Sequence, residues 1–273
     1  MPHLAINGEQ IAYREQGAGE PVVLVHSLGT SSHIWETTIA ALAPYFRVIA
    51  IDCRGHGGSS NRGGFSVDAI ADDLLAAAST LDLPRFHYVG ISMSGLFGVT
   101  IWAKAPERLL SLTLADSYAS VGVAGPPRVA ATREALKTTS MRDFATAYVN
   151  DTLMPATPRP VYDETIDAIA GMTPKNYLQT LEAIITADVT ALLATIRVPT
   201  LVIVGERDQR TPVTVSGRLA AAIKGSRLVV VPEAGHLAVL DQPKTFNNAI
   251  SRFLMTMKIE AKKSTFGWAN RPE

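Results

Sequence analysis

Short runs of apolar residues recur along the chain, and segments long enough to form helices separate them. The runs cover residues 21–26, 47–51, 86–91, 110–115, 199–205 and 226–231. Each run is short and rich in β-branched residues, as is typical of strands that are buried on both faces. Strands that alternate with helices predict a mainly parallel sheet with helices on both faces.

Two segments refine this prediction. Residues 4–6 and 11–13 are apolar and flank the dipeptide Asn7-Gly8, which is typical of a tight turn between antiparallel strands. Residues 66–81 carry apolar side chains at helical spacing, with acidic residues between them. The chain therefore starts with a hairpin, and the hairpin and the six runs together predict eight strands.

The alternation stops between residues 117 and 197. This segment consists of helix-like stretches that are broken by prolines and glycines. It predicts a helical insertion after the sixth strand. We expect a core domain of residues 1–116 and 198–258, a helical cap of residues 117–197 and a C-terminal tail of residues 259–273.

Composition and charge exclude several classes of function. The 273 residues include 25 basic and 25 acidic side chains, so the net charge is zero, without the basic excess that binds nucleic acid or anionic membranes. No apolar run approaches the roughly 20 residues of a membrane span, and the N-terminus has no signal-peptide pattern. The single cysteine, Cys53, is consistent with a reducing compartment. We expect a cytoplasmic protein with neither nucleic acid nor membrane as a partner.

A serine stands where a predicted strand turns into a predicted helix. Ser92 follows the strand that ends at residue 91, and Gly90, Ser94 and Gly95 surround it. A turn this sharp requires small neighbours, and it places the serine at the N-terminus of a helix. An ordinary helix-capping serine, worth about 1 kcal/mol, is the alternative interpretation.

A serine hydroxyl becomes a good nucleophile only when a neighbouring base takes its proton. Asp208 follows the strand at 199–205, and His236 follows the strand at 226–231. Because the carboxyl ends of parallel strands share one edge of the sheet, Ser92, Asp208 and His236 can meet there. Asp116, which directly follows the strand at 110–115, is the competing candidate for the acid.

These features together resemble the α/β-hydrolase fold superfamily, in which nucleophile, acid and histidine occur in this order along the chain. Residues 25–29 (VHSLG) and 52–59 (DCRGHGGS) are similar to two further loops of that family. The resemblance implies that His236 acts as general base and that Asp208 orients it. It also implies that the backbone N–H groups of Leu28 and Met93 form an oxyanion hole.

Residues 27–30 with Trp35, the loop at 54–60 and the turn at 91–93 are similar to the 3-oxoadipate enol-lactonase branch of that family. This resemblance implies hydrolysis of a small ester or lactone that carries a carboxylate. Trp35, Arg128 and Arg133, with Arg142 as a further candidate, are then the expected substrate-binding residues. No metal site or cofactor is expected, and a homodimer is compatible with the sequence.

Two other functions stay open at this stage. A carboxylesterase with a broad apolar pocket is compatible with the apolar residues of the predicted cap. Some members of this fold act as ligand-binding receptors, lyases or oxygenases, so the fold alone does not decide the activity.

Overall fold

One sheet of eight strands organises the molecule. A computed structural model of the protein describes the backbone of residues 1–266 and the side chains of residues 1–259. Within these residues the spatial order of the strands is β1-β2-β4-β3-β5-β6-β7-β8. The strands are β1 (His3–Ile6), β2 (Glu9–Gln16), β3 (Pro21–Val25), β4 (Arg47–Ile51), β5 (Phe86–Ile91), β6 (Leu109–Ala115), β7 (Thr200–Gly205) and β8 (Arg227–Val231).

The predicted sheet is confirmed. Strand β2 runs antiparallel to both β1 and β4, and all the other neighbouring strands are parallel. Every residue of β5 and of β7 is buried, so both faces of the sheet are covered in its middle. Burial of both faces explains why these strands are continuous apolar runs and do not alternate with polar residues.

Eleven α-helices occur in the described backbone. They are α1 (Glu36–Leu42), α2 (Val67–Thr80), α3 (Ser94–Lys104), α4 (Gly125–Thr138), α5 (Met141–Asn150), α6 (Arg159–Ala170), α7 (Pro174–Thr186), α8 (Thr190–Leu193), α9 (Val213–Ala222), α10 (Ala238–Asp241) and α11 (Pro243–Phe266). Helix α2 contacts α3, and α1 contacts α11. Helix α3 contacts β5 and β6, and α11 contacts β6, β7 and β8, so these helices supply the cover that the central strands require.

Helices α4 to α8 lie between β6 and β7, where the sequence predicts the helical cap. Within the cap, α5 packs against α6, and α4 packs against α7. The expected tail needs a correction, because α11 continues to Phe266 and the first residues after 258 are therefore helical. Residues 267–273 of the expected tail lie outside the described residues.

A buried ion pair holds the loop after β4 against α2. Both nitrogens on one edge of the Arg54 guanidinium donate to Asp73, Nε to Oδ2 at 2.5 Å and Nη2 to Oδ1 at 2.8 Å. The Asn7 amide of the N-terminal hairpin also donates to Oδ1 of Asp73, at 2.8 Å. Arg54 and Asp73 are both buried. One carboxylate therefore joins the hairpin, the loop and the helix.

We expect Asp73→Ala to reduce the free energy of unfolding by about 3 kcal/mol, because it removes the carboxylate that is hydrogen-bonded to the buried guanidinium of Arg54 and leaves it only Glu9, 3.8 Å away. Urea unfolding followed by circular dichroism measures the loss. The neighbouring variant Asp72→Ala is the control, because Asp72 is exposed and pairs with Lys104 at the surface. Its expected cost is below about 1 kcal/mol. Equal losses in the two variants would contradict the importance of the buried pair.

Candidate active site

Ser92 lies in a sharp turn between β5 and α3. Its backbone φ is +56°, in the left-handed region that residues other than glycine seldom adopt. The backbone N–H of Ser92 donates to the carbonyl of Ala115 at 2.8 Å, and the Ser117 hydroxyl donates to the carbonyl of Ser92 at 2.7 Å. The end of β6 thus holds the turn in this conformation from both sides.

The neighbours of Ser92 are small because the turn leaves no room for larger residues. A Cβ atom on Gly90 would lie 2.6 Å from the carbonyl oxygen of Ser94, and one on Gly95 would overlap the Ser117 hydroxyl. The Ser94 side chain is fully buried, and its hydroxyl donates to the carbonyl of His26. Ser94 therefore joins the turn to the loop after β3.

The structure brings Ser92, His236 and Asp208 together. Ser92 Oγ lies 2.9 Å from His236 Nε2, and His236 Nδ1 lies 2.9 Å from Asp208 Oδ2. Asp208 follows β7, and His236 follows β8, so parallel strands deliver the three side chains to one edge of the sheet. All three side chains are buried.

Hydrogen bonds hold the Asp208 carboxylate in its ionised form. Its Oδ1 accepts from the backbone N–H groups of Arg210 and Thr211, at 2.8 and 2.9 Å, and its Oδ2 accepts from the Thr211 hydroxyl at 2.7 Å. Burial acts to raise the pKa of Asp208, but the charge of His236 and the hydrogen bonds from His236 and Thr211 outweigh it. The pKa of Asp208 therefore lies below its ordinary value.

Asp116, the competing candidate for the acid, is engaged elsewhere. One of its carboxylate oxygens accepts from the backbone N–H of Gly205 at 2.8 Å, and the other accepts from that of Ala238 at 3.1 Å. Burial, together with the charge of Asp208, raises the pKa of Asp116. Asp116 thus holds the end of β7 and the segment after His236 in place, and the carboxylate that contacts His236 belongs to Asp208.

The loop after β3 is closed by hydrogen bonds around Leu28. The backbone N–H of Ser27 donates to the Thr30 hydroxyl at 3.1 Å, and this hydroxyl donates back to the Ser27 carbonyl at 2.9 Å. Within the described residues, the N–H groups of Leu28 and Met93 have no protein acceptor. The two predicted oxyanion donors are thus available to a ligand, and Leu28 lines the cavity beside Ser92.

Two buried histidines support these loops in their neutral form. His26 donates from Nδ1 to the Ser27 carbonyl at 2.8 Å, and its Nε2 accepts from the Cys53 N–H at 2.9 Å. Burial lowers the pKa of His26 to about 4. Burial and the neighbouring His26 lower the pKa of His56 to about 3. Both residues contact the backbone, as expected for histidines with a structural function.

A narrow cavity of about 30 Å³ lies between Ser92 and the cap. Its walls are Leu28, Ser92, Tyr118, Val121, Arg128, Tyr148, Leu181, Ile184, Ile185, Arg210, Thr211 and His236. The expectation that Trp35 binds substrate is wrong. Trp35 is fully buried and packs against Phe246, and it is not part of the cavity wall.

The candidate arginines of the cap differ in whether their side chains line the cavity or lie on the surface. Arg128 lines the cavity and forms no ion pair within the described side chains. Arg133 pairs with Glu182, and Arg142 pairs with Asp167 at 2.7 Å, in both cases on the surface. The expectation that Arg133 and Arg142 bind substrate is therefore corrected. Their side chains point to carboxylates on the outside of the cap.

Sequence reasoning missed Arg210, which also lines the cavity. Its guanidinium stacks on the Tyr148 ring, with its central carbon 4.2 Å from the ring centroid, and its Nη2 donates to Asp151 at 2.9 Å. The position of Arg210, two residues after the acid in the loop at the edge of the sheet, is the signal that could have indicated it. The cavity is thus lined by two arginines, one from the cap and one from the core.

The described residues contain neither a helix suited to span a membrane nor a cluster of side chains suited to hold a metal ion. No helix there is both long and apolar enough to cross a membrane. No group of three or more histidine, cysteine or acidic side chains in this part of the chain is arranged to hold a metal ion.

Comparison with known proteins agrees with this architecture. The family model described as alpha/beta hydrolase fold matches residues 20–243, which include Ser92, Asp208 and His236. The chain belongs to the α/β hydrolase fold family. This match confirms the resemblance that the sequence motifs indicate.

Several α/β hydrolases resemble this one over most of its length. A 3-oxoadipate enol-lactonase 2 of Acinetobacter baylyi is 32% identical over 232 residues, 84% of this chain and 86% of that protein. The enol-lactonase structure from Burkholderia xenovorans LB400 has a TM-score of 0.87 and 29% identity, covering 93% of this chain and all of that one. A thermophilic esterase of Thermogutta terrifontis, solved with malate bound, has a TM-score of 0.86 and 28% identity, covering 93% of this chain and 97% of that one.

We expect the free energy of unfolding of this α/β hydrolase to fall as the pH drops from about 6.5 towards 4. In this range the unfolded chain binds protons at His26, His33 and His56 that the folded chain does not bind, because burial lowers all three pKa values in the fold. Linkage gives a loss of about 1.4 kcal/mol per pH unit for each such group. Urea unfolding at several pH values measures the slope.

The variant His26→Asn tests this assignment. We expect it to be less stable at pH 7 and to show a shallower pH dependence, because one of the three groups is removed. His3→Gln is the control, because it replaces an exposed histidine that is not one of the buried groups. A free energy of unfolding that stays constant between pH 6.5 and 4 would contradict the prediction.

Proposed function

We propose that this protein hydrolyses a small ester or lactone that carries a carboxylate, with Ser92 as nucleophile, His236 as general base and Asp208 as orienting acid. The observation that carries the proposal is the continuous hydrogen-bonded series from Ser92 Oγ to His236 to Asp208, with 2.9 Å at each step. This geometry lets a base remove the proton of a serine hydroxyl while a carboxylate stabilises the resulting imidazolium.

In the first half of the proposed reaction, Ser92 Oγ attacks the carbonyl carbon of the substrate, and its proton moves to His236 Nε2. The electron pair of the carbonyl moves to its oxygen, which becomes an oxyanion. When the tetrahedral intermediate collapses, the bond to the leaving oxygen breaks, and His236 returns the proton to that oxygen. The acyl group is then bound to Ser92. In a lactone the leaving hydroxyl or enol stays part of the acyl chain.

In the second half, a water molecule takes the position of the attacking group. His236 Nε2 accepts a proton from this water, and the remaining hydroxide adds to the acyl carbon. Collapse of the second intermediate breaks the bond to Ser92 Oγ, which recovers its proton from His236. Asp208 remains ionised throughout, in agreement with its lowered pKa.

We assign the oxyanion hole to the backbone N–H groups of Leu28 and Met93. Leu28 lies within the loop closed by Thr30, and Met93 directly follows Ser92 at the start of the turn into α3. Because both groups lack a protein acceptor within the described residues, they can donate to the developing oxyanion without breaking a hydrogen bond. Donors that are fixed in advance stabilise this charge most effectively.

The two arginines of the cavity support a substrate with a carboxylate. Arg128 and Arg210 are the charged side chains of the cavity wall, and no acidic residue is part of that wall. A guanidinium binds a carboxylate in a bidentate manner, and the interaction gains strength where water is excluded. The malate-bound esterase, a relative in structure, was solved with a dicarboxylate, which is consistent with this substrate class.

We expect Ser92→Ala to lower kcat/KM for p-nitrophenyl acetate and for a small enol-lactone by at least about 10³-fold, because the nucleophile is lost. Asp208→Asn should lower it by about 10³- to 10⁴-fold, because an amide cannot stabilise the imidazolium of His236. Steady-state rates, followed by the release of nitrophenol or by the absorbance of the lactone, measure both effects.

Asp116→Asn is the matched control for the acid. We expect it to lower stability while retaining much more activity than Asp208→Asn, because Asp116 bonds backbone groups. Sustained turnover in Ser92→Ala would overturn the proposed mechanism. A single burst without turnover in the wild type would instead favour a receptor-like protein of the same fold.

We expect Arg128→Gln to raise KM for an ester with a free carboxylate, such as the mono-p-nitrophenyl ester of succinic acid, by about 10-fold relative to p-nitrophenyl acetate. The physical reason is the loss of a charge-assisted hydrogen bond to the substrate. The control is Arg133→Gln, which removes an exposed arginine that pairs with Glu182 and should change neither KM. A wild type that prefers long neutral esters would instead support a broad carboxylesterase with an apolar pocket.

A further inference from the structure

Arg210 is held at the boundary between the core and the cap. Its backbone N–H donates to Asp208, in the core, at 2.8 Å. Its side chain reaches helix α5 and the segment after it, where it stacks on Tyr148, donates to the Thr152 hydroxyl at 3.1 Å and pairs with Asp151 at 2.9 Å. One residue therefore connects the catalytic acid with the cap.

Arg210 also separates two cavities. The inner cavity, beside Ser92, has a volume of about 30 Å³, which suffices for a few water molecules but not for an ester. A second cavity of about 350 Å³ lies outside it, towards α5. The two share four wall residues, which are Arg128, Tyr148, Leu181 and Arg210. A substrate that passes from the outer cavity to Ser92 needs more space than the inner cavity offers, so side chains of this shared wall have to move.

We propose that Arg210 is the gate between the two cavities and that Asp151 is an intramolecular competitor for the carboxylate of the substrate. An incoming carboxylate displaces Asp151 from the Arg210 guanidinium, and the released side chain carries the carboxylate towards Ser92. Asp151 thereby raises KM for anionic substrates and leaves KM for neutral ones unchanged, because only a substrate carboxylate competes with Asp151 for the guanidinium. This inference rests on the proposed function of the site.

The different exposure of Asp151 and Arg210 allows a substrate carboxylate to replace Asp151 on the guanidinium. The Asp151 side chain is 77% exposed, whereas that of Arg210 is 16% exposed. Water solvates the released Asp151 carboxylate, so its departure costs little, as is typical of exposed ion pairs. The guanidinium, in contrast, is largely removed from water and requires a partner. A substrate carboxylate supplies this partner and keeps the number of ion pairs constant.

The stacking on Tyr148 limits the directions in which the Arg210 side chain can move. The contact with the ring leaves the edge of the guanidinium free for carboxylates, and Tyr148 belongs to both cavity walls. Arg128 lies on the same shared wall without an ion pair among the described side chains, so it can hold the carboxylate while Arg210 exchanges partners. The two arginines thus act in sequence on one carboxylate.

The variant Asp151→Asn tests the competition, since it removes the charge but keeps the shape of the side chain. We expect the ratio of KM for the mono-p-nitrophenyl ester of succinic acid to KM for p-nitrophenyl acetate to fall about two- to five-fold, the range that corresponds to an exposed ion pair. Arg210→Gln should raise the same ratio by 10-fold or more. Both ratios are measured at low ionic strength, where screening is weak.

Asp167→Asn is the matched control. It also breaks an exposed ion pair of the cap, that with Arg142, but Asp167 lines neither cavity. Its ratio of KM values should equal that of the wild type. If Asp151→Asn and Asp167→Asn behave alike, or if Asp151→Asn changes both KM values by the same factor, the competition is refuted and the ion pair only stabilises the cap.

A binding measurement distinguishes this inference from the proposed function. Succinate binding to Ser92→Ala is measured by titration calorimetry with and without the additional substitution Asp151→Asn, and it needs no turnover. Tighter binding in the double variant, by about two- to five-fold, supports the competition, and unchanged binding refutes it. The activity of Ser92→Ala decides the proposed function separately, so either idea can fail while the other stands.

Discussion

The left-handed turn at Ser92 is the constraint on which the rest of the site depends. A backbone φ of +56° at a residue with a side chain is unfavourable, and the surrounding structure has to maintain it. Here Ala115 and Ser117, at the end of β6, bind the turn, and Gly90 and Gly95 leave room for it. The buried parallel strands thus hold the turn and orient Ser92 Oγ towards the histidine.

Two further carboxylates, those of Asp116 and Asp241, hold the backbone close to Asp208 and His236. Asp116 joins the end of β7 to the segment after His236, as described above. Asp241 accepts from the Gly235 N–H at 2.7 Å, and its other oxygen accepts from the Met154 N–H at 3.0 Å and from the Thr157 hydroxyl. The first contact lies next to His236, and the other two lie in the segment between α5 and α6. The position of the histidine is therefore coupled to the cap.

The sequence predicted most of the fold because each buried strand is a local pattern, and strands β3 to β8 agree with the predicted runs to within about one residue at each end, whereas β2 extends beyond the predicted 11–13 on both sides. It also predicted the residues that meet at the sheet edge, since topology alone brings the ends of parallel strands together. Its choice of Asp208 over Asp116 depended on the resemblance to the family, and it could not place Trp35 and Arg133. These depend on the direction of a side chain and on burial, and neither leaves a periodic pattern. For the same reason, the sequence did not predict Arg210 as a residue of the site.

Charge balance connects the arginines to the proposed chemistry. In the proposed reaction, attack by Ser92 converts His236 into an imidazolium, which adds a positive charge to a cavity that Arg128 and Arg210 already line. Asp208 offsets the charge of the imidazolium, and Asp151 pairs with Arg210. The charge of Arg128 then opposes formation of the imidazolium when the substrate is neutral, whereas a substrate carboxylate compensates it. The proposed anionic substrate would therefore gain from Arg128 both in binding and in the step in which its ester bond is attacked.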